Sequence, residues 1–139
     1  MMDQQDEFYM IVDDEPDMLW ALENLLRRQG LVAKKALSGK QALQLIESHR
    51  FKMAFIDLKL PDMDGFELAN HIKSHDPQTC IVLISGYFYK NEHKVRAAID
   101  EGLICDFISK PFLHEDIRRA VASSSLRKPG LPKSEELVP

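Results

Sequence analysis

Five short apolar runs, each bounded by polar residues, punctuate the chain: FYMIV at 8–12, LVAKKAL at 31–37, MAFIDL at 53–58, CIVLIS at 80–85 and DFIS at 106–109. A run of this length suits a strand or a buried helix, and its β-branched and aromatic content favours the strand. All but LVAKKAL read as strands buried on both faces, the habit of a parallel sheet. Between the runs apolar residues recur in steps of three and four, which puts each set on one helical face. The sets are Leu19, Leu22, Leu25 and Leu26, then Ala42, Leu43, Leu45 and Ile46. Leu68, Ala69 and Ile72, then Val95, Ala98 and Ile99, then Ile117, Ala120 and Val121 complete them.

Strand and helix therefore alternate five times. Short links between them imply an α/β fold with a doubly wound parallel five-stranded sheet, right-handed crossovers and helices on both faces, three layers in all. The punctuation agrees: Pro16 suits a first helical position, Gly30 and Gly102 suit helix ends, and Pro61 with Gly65 brackets a loop. Residues 1–6 read as a frayed leader and 7–123 as one folded domain. From 124 to 139 the sequence SSLRKPGLPKSEELVP loses its apolar period and reads as a linker or tail.

Composition narrows the field of functions. A chain of 139 residues, 45% hydrophobic and 29% charged, fits one globular core. A net charge of −4 supplies no general attraction for nucleic acid. The apolar run at 80–85 falls far short of the roughly 18–20 residues that cross a bilayer. The opening MMDQQDE lacks the basic start and apolar centre of an export signal, so a cytoplasmic location is expected. Cys80 and Cys105 lack metal or redox spacing and read as buried free thiols, in preference to a mutual disulfide.

Ligands of doubly wound sheets bind outside the carboxyl ends of the strands, and the unusual residues of this chain gather there. Asp13, Asp14 and Glu15 follow the first strand, Asp57 ends the third, Ser85 ends the fourth and Lys110 follows the fifth. Aspartates brought together in this way repel by about 4 kcal/mol per pair, at about 4 Å and an effective dielectric of about 20. A positive charge must balance them. An all-oxygen set without His or Cys suits a hard cation, Mg²⁺ first and Mn²⁺ second.

Each residue alone has a plainer reading. Asp13 and Asp14 before Pro16 could cap a helix, Asp57 could end a strand, and a lone Ser85 or Lys110 would ordinarily face solvent. Their joint order favours the site. His49, His71, His75, His93 and His114 lack ligand spacing and read as surface residues. Trp20 lies off its helix stripe and reads as an exposed surface aromatic. Phe66, Tyr87, Phe88 and Tyr89 suit either recognition or packing.

Taken in order, IVDDEPDML, FIDLKLPDMDGFEL, VLISGY and DFISKPF resemble the four signature segments of the response-regulator receiver family, over residues 8 to about 123. The resemblance implies a flavodoxin-like (βα)5 fold whose Asp57 takes a phosphoryl group from a sensor histidine kinase or a histidine phosphotransfer protein. It implies Asp14 as a direct Mg²⁺ ligand, Asp13 as an acidic partner acting through water, and the backbone carbonyl of Lys59 as the third protein ligand. Ser85 and Lys110 would each hold a phosphoryl oxygen. Ser85 and the aromatic Phe107 would form the switch, altering the face made by the fourth helix, fifth strand and fifth helix. An output domain, a partner protein or a second copy of the chain would read that face. The Lys110–Pro111 bond would be cis, and Met63, Asp64 and Gly65 would shape the loop after Asp57.

Such a protein would catalyse only its own phosphorylation and dephosphorylation, with no direct contact to nucleic acid or membrane. The stretch from Ser85 to Lys110 is longer than the family pattern, with the excess in FYKNEHK. GLICDFISKPF is also similar to receivers linked to cyclic-di-GMP phosphodiesterase domains. A haloacid-dehalogenase-like phosphatase is the enzyme alternative, but Lys59 stands where its second acid is needed. A receiver-shaped module that is never phosphorylated and an FMN carrier are the remaining alternatives; the intact site residues oppose the first, and the lack of a Ser/Thr-rich loop opposes the second.

Overall fold

The computed structural model describes residues 7–86 and 92–126. Strands β1 (Phe8–Val12), β2 (Ala33–Ala36), β3 (Phe51–Asp57), β4 (Cys80–Ser85) and β5 (Asp106–Ser109) alternate with five helices. These are α1 (Pro16–Arg28), α2 (Gly39–Ser48), α3 (Gly65–His75), α4 (Glu92–Asp100) and α5 (His114–Leu126). All strand pairs are parallel, in the order β2-β1-β3-β4-β5. Strand order thus reverses at β1, where the chain first builds outward to β2 and then returns to β3.

Alternation along the strands sorts the core into two layers. Met10, Val12, Ala54, Ile56, Ile81 and Leu83 pack with Ala42, Ile46, Leu68, Ile72 and Val95, so α2, α3 and α4 cover one face. Tyr9, Ile11, Met53, Phe55, Val82 and Ile108 pack with Leu19, Leu22, Leu26, Ile117 and Ala120, so α1 and α5 cover the other. β3 and β4 are buried almost throughout, as their apolar runs require. β5 departs from the expectation of burial on both faces: only Ile108 is buried, because β5 is an edge strand with a single neighbour.

Helix ends follow local chemistry. Pro16 opens α1. Gly30 and Gly102 adopt φ of 79° and 82° just beyond α1 and α4. There Leu31 N–H reaches Leu26 C=O at 3.0 Å and Leu103 N–H reaches Ala98 C=O at 2.9 Å. This closure returns otherwise orphaned carbonyls to hydrogen bonds and needs a residue free to enter the left-handed region. α5 runs on to Leu126, past the point where the apolar period fades, with Ser124 Oγ donating back to Val121 C=O at 2.8 Å. Residues 1–6, the rest of the tail, and Tyr87, Phe88 and Tyr89 lie outside the described residues. Trp20 is exposed, at 67%.

The cysteines correct the sequence reading: Cys80 and Cys105 form a disulfide, with Cα atoms 5.8 Å apart. Cys80 opens β4, and Cys105 immediately precedes the neighbouring β5, its N–H donating to Ile81 C=O at 2.7 Å. Adjacent strands bring the two Cα atoms within bridging range, which sequence spacing alone does not reveal. No helix among the described residues is long and apolar enough to cross a membrane.

Candidate phosphoacceptor and metal site

Sheet register builds the site. Val12 lies opposite Ile56, so the next residues, Asp13 and Asp57, emerge side by side at the carboxyl rim of the two central strands. Asp13 N–H continues the ladder to Ala36 C=O at 3.1 Å. Its Oδ1 accepts the Glu15 N–H at 2.9 Å, which turns the chain toward α1 and leaves Oδ2 for the rim. Glu15 itself occupies the N-cap of α1 without a side-chain cap, so neither Asp13 nor Asp14 is the capping residue.

Asp13, Asp14 and Asp57 each offer a carboxylate oxygen, and these oxygens lie within 4.8 Å of one another. Asp13 and Asp57 are nearly enclosed, at 2% and 9% exposure, whereas Asp14 opens to solvent. Just beyond β5, Lys110 extends its Nζ to 3.3 Å from Asp13 Oδ2 and 3.5 Å from Asp57 Oδ1. Three carboxylates against one ammonium leave two negative charges in excess when all are ionised. An all-oxygen donor set with that excess fits a hard divalent cation.

Burial, and then the Asp13 charge, push the Asp57 carboxyl up to about 6, against the Lys110 ammonium and a backbone N–H from Lys59 that hold it down. Burial acts to lower Lys110, but the Asp57 and Asp13 carboxylates outweigh it and keep the ammonium above its ordinary value. Asp57 therefore stays mainly ionised at neutral pH, beside a fixed cation.

The remaining sequence candidates surround this centre. Ser85 is buried, at 2% exposure, and its C=O accepts the Lys110 N–H at 2.9 Å. The Lys110–Pro111 bond is cis. Lys59 follows Asp57 by two residues and pairs with Asp64 in an isolated antiparallel bridge. Asp64 caps α3 through the Glu67 N–H at 2.8 Å. A Cβ on Gly65 would meet Leu58 Cα at 2.9 Å, so the close return of this loop requires glycine. Phe107 is half-buried on β5 against the layer that holds α4.

Sequence reading missed Asp62, whose carboxylate accepts N–H bonds from Gly39 and Lys40 at 2.9 Å each. Its partners lie 23 and 22 residues away, so no local pattern exposes the contact. A cavity of about 610 Å³ near the opposite end of the sheet, lined by His49, Arg50, His75 and Asp76 among others, contains none of the candidate residues.

The chain matches the family model described as response regulator receiver domain over residues 9–122. It is 34% identical over 121 residues to response regulator protein PilR of Pseudomonas aeruginosa, an alignment covering 86% of this chain and 26% of that protein. The chain thus spans about a quarter of the length of that curated relative. The receiver domain of NtrX from Brucella abortus superposes with a TM-score of 0.75 at 28% identity, covering 84% of this chain and 96% of that one. The signal receiver domain of an HD domain-containing protein from Pseudomonas fluorescens gives 0.77 at 28% identity, covering 86% and 94%.

Proposed function

Because the chain belongs to the response regulator receiver domain family, we propose that Asp57 accepts a phosphoryl group from a phosphohistidine and that Mg²⁺ is the resident ion. The observation that carries this reading is the convergence of Asp13, Asp14 and Asp57 oxygens within 4.8 Å, with the Lys110 ammonium against two of them.

An Asp57 carboxylate oxygen attacks phosphorus, the bond from phosphorus to the donor imidazole breaks, and the imidazole leaves with the electron pair. The nucleophile needs no base, since Asp57 titrates near 6 and is mainly ionised at pH 7. Lys110 lies 3.5 Å from Asp57 Oδ1, close enough to offset the charge that arrives with the phosphoryl oxygens. In-line transfer depends on positioning more than on acid–base help. Asp14 would hold the ion directly, Asp13 through water and Lys59 by its backbone carbonyl; Mn²⁺ suits the same oxygens. When bound, the ion neutralises charge on the phosphoryl oxygens. The acyl phosphate is later hydrolysed, which resets Asp57.

Ser85 offers its hydroxyl to a phosphoryl oxygen, and Phe107 responds by moving further into the space beside α4. The α4–β5–α5 face would transmit the change to an output domain, a partner protein or a second copy of the chain. Donors would be a sensor histidine kinase or a phosphotransfer protein in the cytoplasm. Beyond its own phosphorylation and dephosphorylation the protein would have no turnover.

Acetyl phosphate with Mg²⁺ should add one phosphoryl group to the wild-type chain, detected by intact mass, and none to Asp57→Asn. A folded wild-type protein whose mass stays unchanged would defeat the proposal.

A further inference from the structure

Resting on the phosphoacceptor reading above, we infer that Asp62 is a positioning residue: its carboxylate ties the loop after Asp57 to the N-terminus of α2 and thereby holds the Lys59 backbone in place. The base of this loop is closed by the Gly65 N–H on Leu58 C=O at 2.7 Å and by the Lys59–Asp64 bridge. Its apex is held sideways. Gly39 N–H donates to Asp62 Oδ1 and Lys40 N–H to Asp62 Oδ2, both at 2.9 Å.

Those amides belong to the first turn of α2, where N–H groups have no partner within the helix and an anion is favoured. α2 already has its own cap, Ser38, which accepts the Gln41 N–H at 3.1 Å. The Asp62 contact is therefore additional to the helix's own cap and constrains the loop. The Gly39 N–H, and then the Lys40 N–H, hold the Asp62 carboxyl below its ordinary value, so it is ionised at neutral pH.

A second feature secures the same apex. A Cβ on Gly39 would stand 2.5 Å from Met63 Sδ, so the Met63 side chain lies directly over the start of α2 and would have to move aside for a larger residue. Lys59 belongs to the base of the loop, and its backbone N–H bonds the Asp57 carboxylate. Its carbonyl is the oxygen assigned above to the ion. Asp62 touches neither phosphorus nor metal and acts through Lys59. Because Asp62 is exposed, its charge is screened and the two directed bonds carry the effect.

The test compares the full chain with Asp62→Ala, Asp62→Asn and Gly39→Ala, the last of which displaces Met63 from the other side. Amide hydrogen exchange at Lys59 is read in chelator, Mg²⁺ affinity by calorimetry, and folding by a cooperative urea transition. In Asp62→Ala, exchange at Lys59 should quicken and Mg²⁺ should bind about threefold to tenfold more weakly, at or below the lower edge of the loss seen when a metal ligand's outer partner is removed. Asp62→Asn, which keeps an acceptor oxygen, should recover part of both, and Gly39→Ala should shift both in the direction of Asp62→Ala. Wild-type exchange and affinity in Asp62→Ala or, should that variant not fold, in Asp62→Asn would overturn the inference alone. Wild-type protein that takes up neither Mg²⁺ nor phosphoryl would overturn the phosphoacceptor reading and this inference with it.

Discussion

Replacing Asp57 by Asn should make the metal-free protein more stable at neutral pH, and the gain should depend on pH in a set direction. The Asp57 carboxyl titrates near 6 in the fold against 3.8 for the unperturbed group, chiefly because the fold buries it and sets it beside Asp13. A folded pKa above the unfolded one means that the unfolded chain releases its proton first. Stability therefore falls as pH climbs from about 4 to about 6 and stays low above that. Below pH 4 both states are protonated and the residue costs nothing. The shift of roughly two units corresponds to about 3 kcal/mol at pH 7. The side chain is only 11% exposed, so solvent screening removes little of it.

Asn has nearly the same shape and no charge to desolvate, so the variant should escape this cost. Urea unfolding of both proteins in chelator, from pH 4 to pH 8, isolates the effect, since every other titrating group is common to the pair. The difference should be near zero at pH 4 and rise to about 3 kcal/mol by pH 7. A variant no more stable than wild type at pH 7, or a difference that ignores pH, would refute the reasoning.

Mg²⁺ at a hundred times its dissociation constant should stabilise wild type by about 2.7 kcal/mol and Asp57→Asn by less, read as a shift in melting temperature; equal shifts would place the ion elsewhere. Lys110→Ala should move the Asp57 carboxyl above its wild-type value near 6, because Lys110 holds it down; carboxyl-carbon NMR titration in chelator would reveal an unmoved midpoint if the pairing is wrong. Leu22→Ala should cost about 3 kcal/mol in urea, since Leu22 is fully enclosed between α1 and the sheet, and a loss below about 1 kcal/mol would contradict that packing.

The apolar runs locate β1, β4 and β5 with their bounds, because β-branched and aromatic residues at these positions have no competing helical period. LVAKKAL contracts to Ala33–Ala36, since its two lysines leave only a short edge strand. β3 begins earlier, at Phe51, where pairing with Phe8 extends the ladder past the apolar run. The strand order is a tertiary choice that no local pattern contains. The positions of Asp13, Asp14, Asp57 and Lys110 at one rim were legible because each ends or follows a strand of one parallel sheet, and all such ends share a side. The Cys80–Cys105 bond and the Asp62 contact were not, because both depend on which segments become neighbours. The excess residues in FYKNEHK fall largely within 87–91, outside the described residues.

Alignment of Val12 with Ile56 makes the gap between the Asp13 and Asp57 backbones a lattice constant of the sheet, about 4.8 Å. Helices and distant loops can be lengthened, shortened or exchanged between relatives without altering that gauge. A single-residue deletion inside β3 is different in kind: it would rotate Asp57 to the opposite surface and uncouple it from both Asp13 and Lys110. Grafts aimed at new signalling pathways should therefore cut in the connections and leave the two central strands whole.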